Sequence, residues 1–284
     1  MKLFKPTADI FIPDGRPAAD AFARTTHMAV GAHQDDLEIM AFHGIAECYG
    51  RRDQWFSGVV CTDGSGSSRT GIYADYTDSE MQAIRRQEQR AAAVVGRYTT
   101  MVQLDYRSSE TKTPPTNAHL REDLSALFMA TRPRIVYLHN LADKHETHVA
   151  IAVAAITAMR ANAATYVPER VYGCEVWRGL DWMMDAEKLA LDVSAHENLA
   201  AALTGLFDSQ VTGGKRYDLA TLGRRRANAT YFESHGVDKS DQLNFAMDLT
   251  PLIRDPKLDI TDYVTGFIRR FDADVRAKLT KLSG

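Results

Sequence analysis

Cysteine is scarce. Cys48, Cys61 and Cys174 are the only three in 284 residues, widely spaced and without a C-x-x-C pair. That pattern gives neither a disulfide framework nor a structural zinc knuckle, and it leaves reduced, buried thiols as the expected state. Charge of one sign is not in excess either. A formal net charge of -3 offers no electrostatic footprint for nucleic acid or an anionic membrane, so a small polar substrate is expected, with no nucleic-acid partner. Long hydrophobic runs are also missing. The longest largely apolar stretch, Val149 to Met159, covers 11 residues, too short for the ~20 that span a bilayer and suited to a buried helix. Lys2, Lys5, Asp9 and Asp14 interrupt the first twenty residues, so no secretory signal is visible. A cytoplasmic protein without membrane insertion is the expectation, although a chain whose signal had been removed would look the same.

What is present is an ordinary globular balance, 45% hydrophobic and 25% charged, able to bury a large core. A single domain is expected over 1–284, with residues 1–25 an N-terminal extension, 26–177 the core sheet and 178–284 a helical or irregular C-terminal part. Short β-branched runs alternate with helical patterns through the first half. Met28–Ala32, Trp55–Cys61, Met101–Leu104, Arg134–Leu138 and Arg170–Trp177 read as strands, which predicts an α/β fold with a mostly parallel, Rossmann-like sheet flanked by helices. Thr77 to Glu80 has capping-box spacing, and the helix it opens runs to Gly96, a candidate C′ residue. Glu88 falls on the apolar stripe of that helix, where a buried ion pair or a cap to a neighbouring loop is its expected use, while Arg85, Arg86 and Arg90 point elsewhere. A Pro-containing loop and a helix bearing Leu120, Leu124, Leu127 and Phe128 follow the third strand. Further on, Ala190–Phe207 reads as helical, Gly213-Gly214 as a break, and Thr221–Tyr231 as a helix whose Arg224-Arg225-Arg226 run is an expected solvated face.

Two clusters carry chemistry. Ala32-His33-Gln34-Asp35-Asp36-Leu37-Glu38 lies where an apolar strand gives way to a helix. His33 and Asp36 have the side chains to ligate one divalent metal, leaving Asp35 for proton transfer; the plainer use of Asp35 or Asp36 is to cap the helix. The second cluster, His145-Glu146-Thr147-His148, opens a buried helix after the fourth strand. Both clusters fall at strand carboxyl ends, where open α/β sheets build their sites. The spacing is not H-E-x-x-H, no G-x-G-x-x-G or P-loop appears, and Gly64-Ser65-Gly66 is not a G-x-S-x-G elbow. Metal-assisted hydrolysis is what remains.

The order of H-x-D-D, a Gly-rich loop and H-x-x-H resembles the LmbE-like (PIG-L) de-N-acetylase family, over about Thr26 to Met159. The resemblance implies a zinc-dependent hydrolase that removes the N-acetyl group from an N-acetylated amino sugar such as an N-acetylglucosamine conjugate. It implies His33, Asp36 and His148 as metal ligands, Asp35 as general base and His145 as the group that stabilises the oxyanion or protonates the leaving amine. Zn2+ is the expected cofactor, with Fe2+ as the alternative metal. Arg69, Asp63 and His235 are candidate substrate contacts, a solvated loop arginine being the alternative for Arg69. The chain departs from the family pattern at Gln34, where proline is usual, at Glu146-Thr147 for Pro-Asp, at His43 for a glycine, and at Asp143-Lys144, which stand where relatives can carry a tyrosine shortly before the second motif. Other readings stay open: an amidase on a thiol-sugar or natural-product conjugate, a non-catalytic carbohydrate-binding relative, and a non-haem iron oxygenase, since two histidines and a carboxylate also form that triad. A homo-oligomer is compatible with all of them.

Overall fold

The structure is a computed structural model that describes residues 1–114 and 116–284. Pro115, within the expected Pro-containing loop, lies outside the described residues. The strands are β1 (Asp9–Phe11), β2 (His27–Gly31), β3 (Phe56–Thr62), β4 (Thr100–Tyr106), β5 (Ile135–His139), β6 (Arg170–Cys174), β7 (Leu189–Asp192) and β8 (Leu243–Asp248). They form one sheet in the order β1-β4-β3-β2-β5-β6-β8-β7. β2 to β6 run parallel, whereas β1, β8 and β7 each pair antiparallel to their neighbours. β2 and β3 are buried along their whole length, as strands covered by helices on both faces must be.

This order fixes where a site can form. From β2 the chain winds outward through β3 and β4, then returns to place β5 on the other side of β2. The switch point therefore lies between β2 and β5, whose carboxyl ends carry the two polar clusters. Gly31 closes the first turn because a Cβ there would stand 2.9 Å from Leu37 Cδ2 and 3.1 Å from Asp36 Cβ.

The five parallel strands fall where the β-branched runs place them, and Thr77 makes the expected capping box with Glu80 on the helix Asp78–Val95. Several expectations are corrected. Residues 1–25 are not merely an extension, because they supply edge strand β1. Ala190–Phe207 is not one helix: Leu189–Asp192 pairs with β8, and the helix begins only at Glu197. Alternating exposure on an edge strand left a pattern that a helix also fits. Gly96 keeps φ -75, and the left-handed residue is Arg97 at φ 55. Glycine is needed at 96 for space, since a Cβ would meet the Tyr98 ring at 2.4 Å. No helix among the described residues is long and apolar enough to cross a membrane.

Candidate active site

Asp36 opens the helix Asp36–Met40 directly after the β2 turn. Its Oδ2 accepts the His33 backbone N–H at 2.7 Å, which pins the carboxylate against the imidazole of the same turn. His33 Nδ1 is 3.3 Å from Asp36 Oδ2 and 3.2 Å from His148 Nε2, and His148 Nε2 is 3.4 Å from Asp36 Oδ1. Tetrahedral zinc with bonds of ~2.0–2.1 Å needs donor separations of about 3.3–3.4 Å; the two nitrogens stand close to that spacing, and each has a different oxygen of Asp36 at a similar distance. Burial pushes the Asp36 carboxyl up, but the charges of His148 and His139, with hydrogen bonding from His33, hold it well below the usual carboxylate range. The helix Glu146–Ala161 buries His148 completely and leaves His145 at its N-cap, in extended backbone. A nitrogen of His145 lies within 4.8 Å of the donor nitrogens of His33 and His148, and a second overlapping set joins Asp36, His139 and His148.

His139 and Asp143 complete the surroundings. The His139 ring stacks on His148 at 3.8 Å between centroids, and its Nε2 accepts the Ala32 N–H at 3.0 Å. That bond occupies the lone pair a metal would need, which sets His139 behind the donor triangle. Burial and the charge of His148 push its imidazole down to about 4. Asp143 Oδ1 stands 3.7 Å from His148 Nδ1 and accepts the His145 N–H at 2.9 Å, while Oδ2 accepts the Trp177 N–H at 3.1 Å. Burial raises the Asp143 carboxyl, yet His148 and the His145 N–H bring it down to about 2. A carboxylate behind a ligating histidine orients the ring and raises its basicity. Asp143 appeared in the sequence only as a departure from a motif; its place two residues before His145 was the available signal.

Asp35 occupies the left-handed region at φ 92, a conformation costing about 1 kcal/mol or more outside glycine. Its backbone N–H is held by Gln89 Oε1 at 3.2 Å, and Arg85 Nη2 reaches its Oδ2 at 3.0 Å. Burial raises its carboxyl to about 6, with Asp36 adding and Arg85 opposing. Arg85 therefore does not point elsewhere, as its position beside the apolar stripe suggested. It is buried, bonds Gln34 O, and lies 3.4 Å from Glu88. Glu88 also accepts the Ser209 N–H and hydroxyl, each at 2.7 Å, the expected ion pair and loop cap together. Arg225 is likewise not on a solvated face. It is buried and donates to Glu38 O at 2.9 Å and Ile39 O at 3.1 Å, capping the carbonyls of the helix that starts with Asp36.

A cavity of about 1080 Å³ opens over these groups, lined by His33, Asp35, Asp36 and His145. Asp63 lines it too, accepting from Ser65 and from Gln82 Nε2 at 2.9 Å. Gly64, at φ 77, lets this loop approach Gln34, whose Oε1 a Cβ would meet at 2.7 Å. Arg69 sits in a shallower recess that adjoins this cavity along Ser65, Gly66, Ser67 and Asp78, bonded to Ser65 O at 2.6 Å and to Asp78 at 2.5 Å. His235 is exposed and outside the cavity lining. Trp177 and Tyr217, which sequence reasoning did not single out, face each other edge-on at 5.7 Å on the far wall.

The PIG-L family, described as GlcNAc-PI de-N-acetylase, matches residues 28–159. No curated protein matches the chain. Among solved structures, N,N'-diacetylchitobiose deacetylase from Pyrococcus horikoshii is 17% identical with a TM-score of 0.61, over 84% of this chain and 88% of that one. GalB, the 4-carboxy-2-hydroxymuconate hydratase from Pseudomonas putida KT2440, is 20% identical with a TM-score of 0.61, over 79% and 96%. The A40926 pseudoaglycone deacetylase Dbv21 is 14% identical with a TM-score of 0.58, over 80% and 98%. At these identities the likeness is one of fold.

Proposed function

On the premise that residues 28–159 belong to the PIG-L family, a family of metal-dependent N-deacetylases, we propose that this chain is a zinc-dependent hydrolase of N-acetylated amino sugars. The observation that carries the reading is the convergence of His33 Nδ1 and His148 Nε2, 3.2 Å apart, on the two oxygens of Asp36 at 3.3 and 3.4 Å, beside a separate buried carboxylate, Asp35. His33, Asp36 and His148 would hold the metal. When bound, it supplies a Lewis acid that lowers the pKa of a water and polarises an amide carbonyl.

The remaining work falls to the protein's own groups. Asp35, with its carboxyl near 6, is ionised at neutral pH and takes the proton from the attacking water. Arg85 fixes its orientation through the 3.0 Å bond. Burial and the neighbouring charges of His33 and His148 push His145 down to about 4, so it acts as a neutral imidazole. It donates a hydrogen bond to the carbonyl oxygen as negative charge develops there. Asp35 then carries the proton to the departing amine, and acetate is the second product. Trp177 and Tyr217, which line the C-terminal wall, are the aromatic groups placed to contact the sugar.

A second reading is water addition to an unsaturated carboxylate, the class of reaction printed for GalB. It is favoured by the cationic side chains Arg107, Lys144, Lys215 and Arg224 at the cavity. Acetate release from a panel of N-acetylated amino sugars, with metal-loaded and chelated protein side by side, decides between them. Release that chelation abolishes supports the deacetylase; no release, with metal-dependent loss of alkene absorbance from an unsaturated polycarboxylate, supports the hydratase.

A further inference from the structure

The helix Ile260–Leu282 is held by the rest of the protein over its first half alone. Asp259 caps it by accepting the Asp262 N–H at 2.9 Å, Val264 and Phe267 are buried in the core, and the Tyr263 hydroxyl donates to Asp248 O at 2.6 Å. Arg270 pairs with Glu187. From Asp272 onward the side chains bond only within the helix among the described residues, and none is buried.

The face that docks nevertheless continues apolar. Ile268, Phe271, Val275, Leu279 and Leu282 follow at steps of three and four, which at 3.6 residues per turn keeps them within about 40° of one line, in register with Val264. Phe271 is half-buried, whereas Ile268 is 45% exposed, Leu279 63% and Leu282 81%. A helical end of roughly a dozen residues that rests on nothing is marginal in water, so this stripe calls for a cover.

The stripe is its own complement. Its spacing is symmetric about Val275: turned end for end on a two-fold axis there, Val275 meets Val275 of a second copy, Phe271 meets Leu279, and Ile268 meets Leu282. The flanking charges obey the same symmetry. Asp272 and Arg276 lie on one flank, bonded at 2.8 Å, and Asp274 and Lys278 lie on the other, bonded at 2.7 Å. The rotation brings each flank onto itself reversed, so the acid of each pair comes opposite the second copy's base and gains a second cation. Antiparallel helix dipoles also oppose favourably.

We propose that two copies of this chain associate through an antiparallel pairing of the helix Ile260–Leu282, with the dyad at Val275. Such a contact is isologous, the form that closes a dimer without leaving a sticky edge. It buries apolar side chains about 21 Å along the helix, from Ile268 to Leu282, under a rim of matched charge. The inference goes beyond the catalytic reading and does not depend on it.

The test is sedimentation velocity of the full-length protein from about 1 to 100 µM, a range that brackets a micromolar Kd. A monomer–dimer equilibrium is expected, and Val275→Asp together with Leu279→Asp should weaken it at least about tenfold. Circular dichroism of the variant checks folding. Register and direction are read by oxidising Ile268→Cys and Leu282→Cys with oxidised glutathione, each alone and then mixed. The three native cysteines are buried and leave little background. A disulfide-linked dimer should form in the mixture and not in either variant alone. A monomer at every concentration, including one that instead sediments with phosphatidylcholine–phosphatidylglycerol vesicles, overturns the proposal. So does a dimer that survives the double substitution, or cross-linking that fails in the mixture or occurs in a single variant.

Discussion

Arg85 lies 3.0 Å from Asp35 while its own side chain is almost wholly buried, making an ion pair inside the wall of the cavity. The same guanidinium bonds Gln34 O and faces Glu88, so one cation holds the turn, the base and a distant loop in register. Removing one member of such a pair leaves uncompensated buried charge, at about 3–5 kcal/mol. Arg85→Gln is therefore expected to lower the free energy of unfolding measured in urea by that order and to cut turnover more than metal content. Equal stability in the variant would show that the pair does not hold the site.

Arg225 acts on the same helix from the other side. It and Asn244 donate to the carbonyls of Glu38, Ile39 and Met40, the C-terminal end of the five-residue helix that carries Asp36. Arg225→Ala should cost roughly 2–4 kcal/mol, because hydrogen bonds to a charged donor are lost and buried carbonyls are left unmet. Metal affinity should fall with it, since the helix that aims Asp36 loses its cap. Urea unfolding and a competitive chelator titration measure the two effects; loss of stability with unchanged metal affinity would mean that Arg225 supports the fold alone.

Much of this was legible in the chain and some was not, for physical reasons. Buried parallel strands are continuous apolar runs, and the polar residues at their ends stand out, so β2 to β6 and both site clusters were visible. Asp35, Asp36, His145 and His148 sit in short local turns where sequence order already brings them close. Arg85 and Arg225 were hidden because their partners lie far along the chain: Arg85 meets Asp35 across 50 residues, and Arg225 meets Glu38 across 187. A guanidinium on a helix reads as solvated until the facing carbonyls are known. The edge strands β1 and β7 are only 3 and 4 residues long and half-buried, too short for a periodic signal.

Behind His148, Asp143 Oδ1 faces Nδ1 at 3.7 Å, an ion-pair separation on the side away from Asp36. Asp143→Asn should weaken metal binding by about 10–100-fold, the usual range for losing a carboxylate partner of a ligating histidine. It should also disturb the aromatic wall, because Trp177 N–H loses a charged acceptor. A chelator titration read alongside Trp fluorescence tests both; unchanged metal affinity would place Asp143 outside the metal's support.

The pH dependence of stability has a contributor far from the site. His27 is buried, with Nδ1 2.9 Å from Thr26 Oγ1 and 3.3 Å from Cys48 Sγ, and burial pushes its imidazole from 6.5 down to about 4. Above pH ~6.5 it is neutral in both folded and unfolded chains and contributes no slope. As pH falls from about 6.5 to about 4 the unfolded chain binds the proton first, so up to ~3 kcal/mol of stability is lost across that window. His27→Gln should flatten this part of the profile in urea unfolding between about pH 7.5 and 4.5. A slope identical to that of the unsubstituted protein would assign the acid sensitivity elsewhere.

The account turns on a division of labour between adjacent carboxylates, Asp36 for the metal and Asp35 for the proton. The most direct measurement is metal content and acetate release determined on the same preparations of Asp35→Asn and His148→Ala, with the protein loaded with zinc. The account predicts that Asp35→Asn keeps its metal and loses turnover by about 10²-fold or more, while His148→Ala loses both. An active Asp35→Asn, or a His148→Ala that retains metal and turnover, would contradict it.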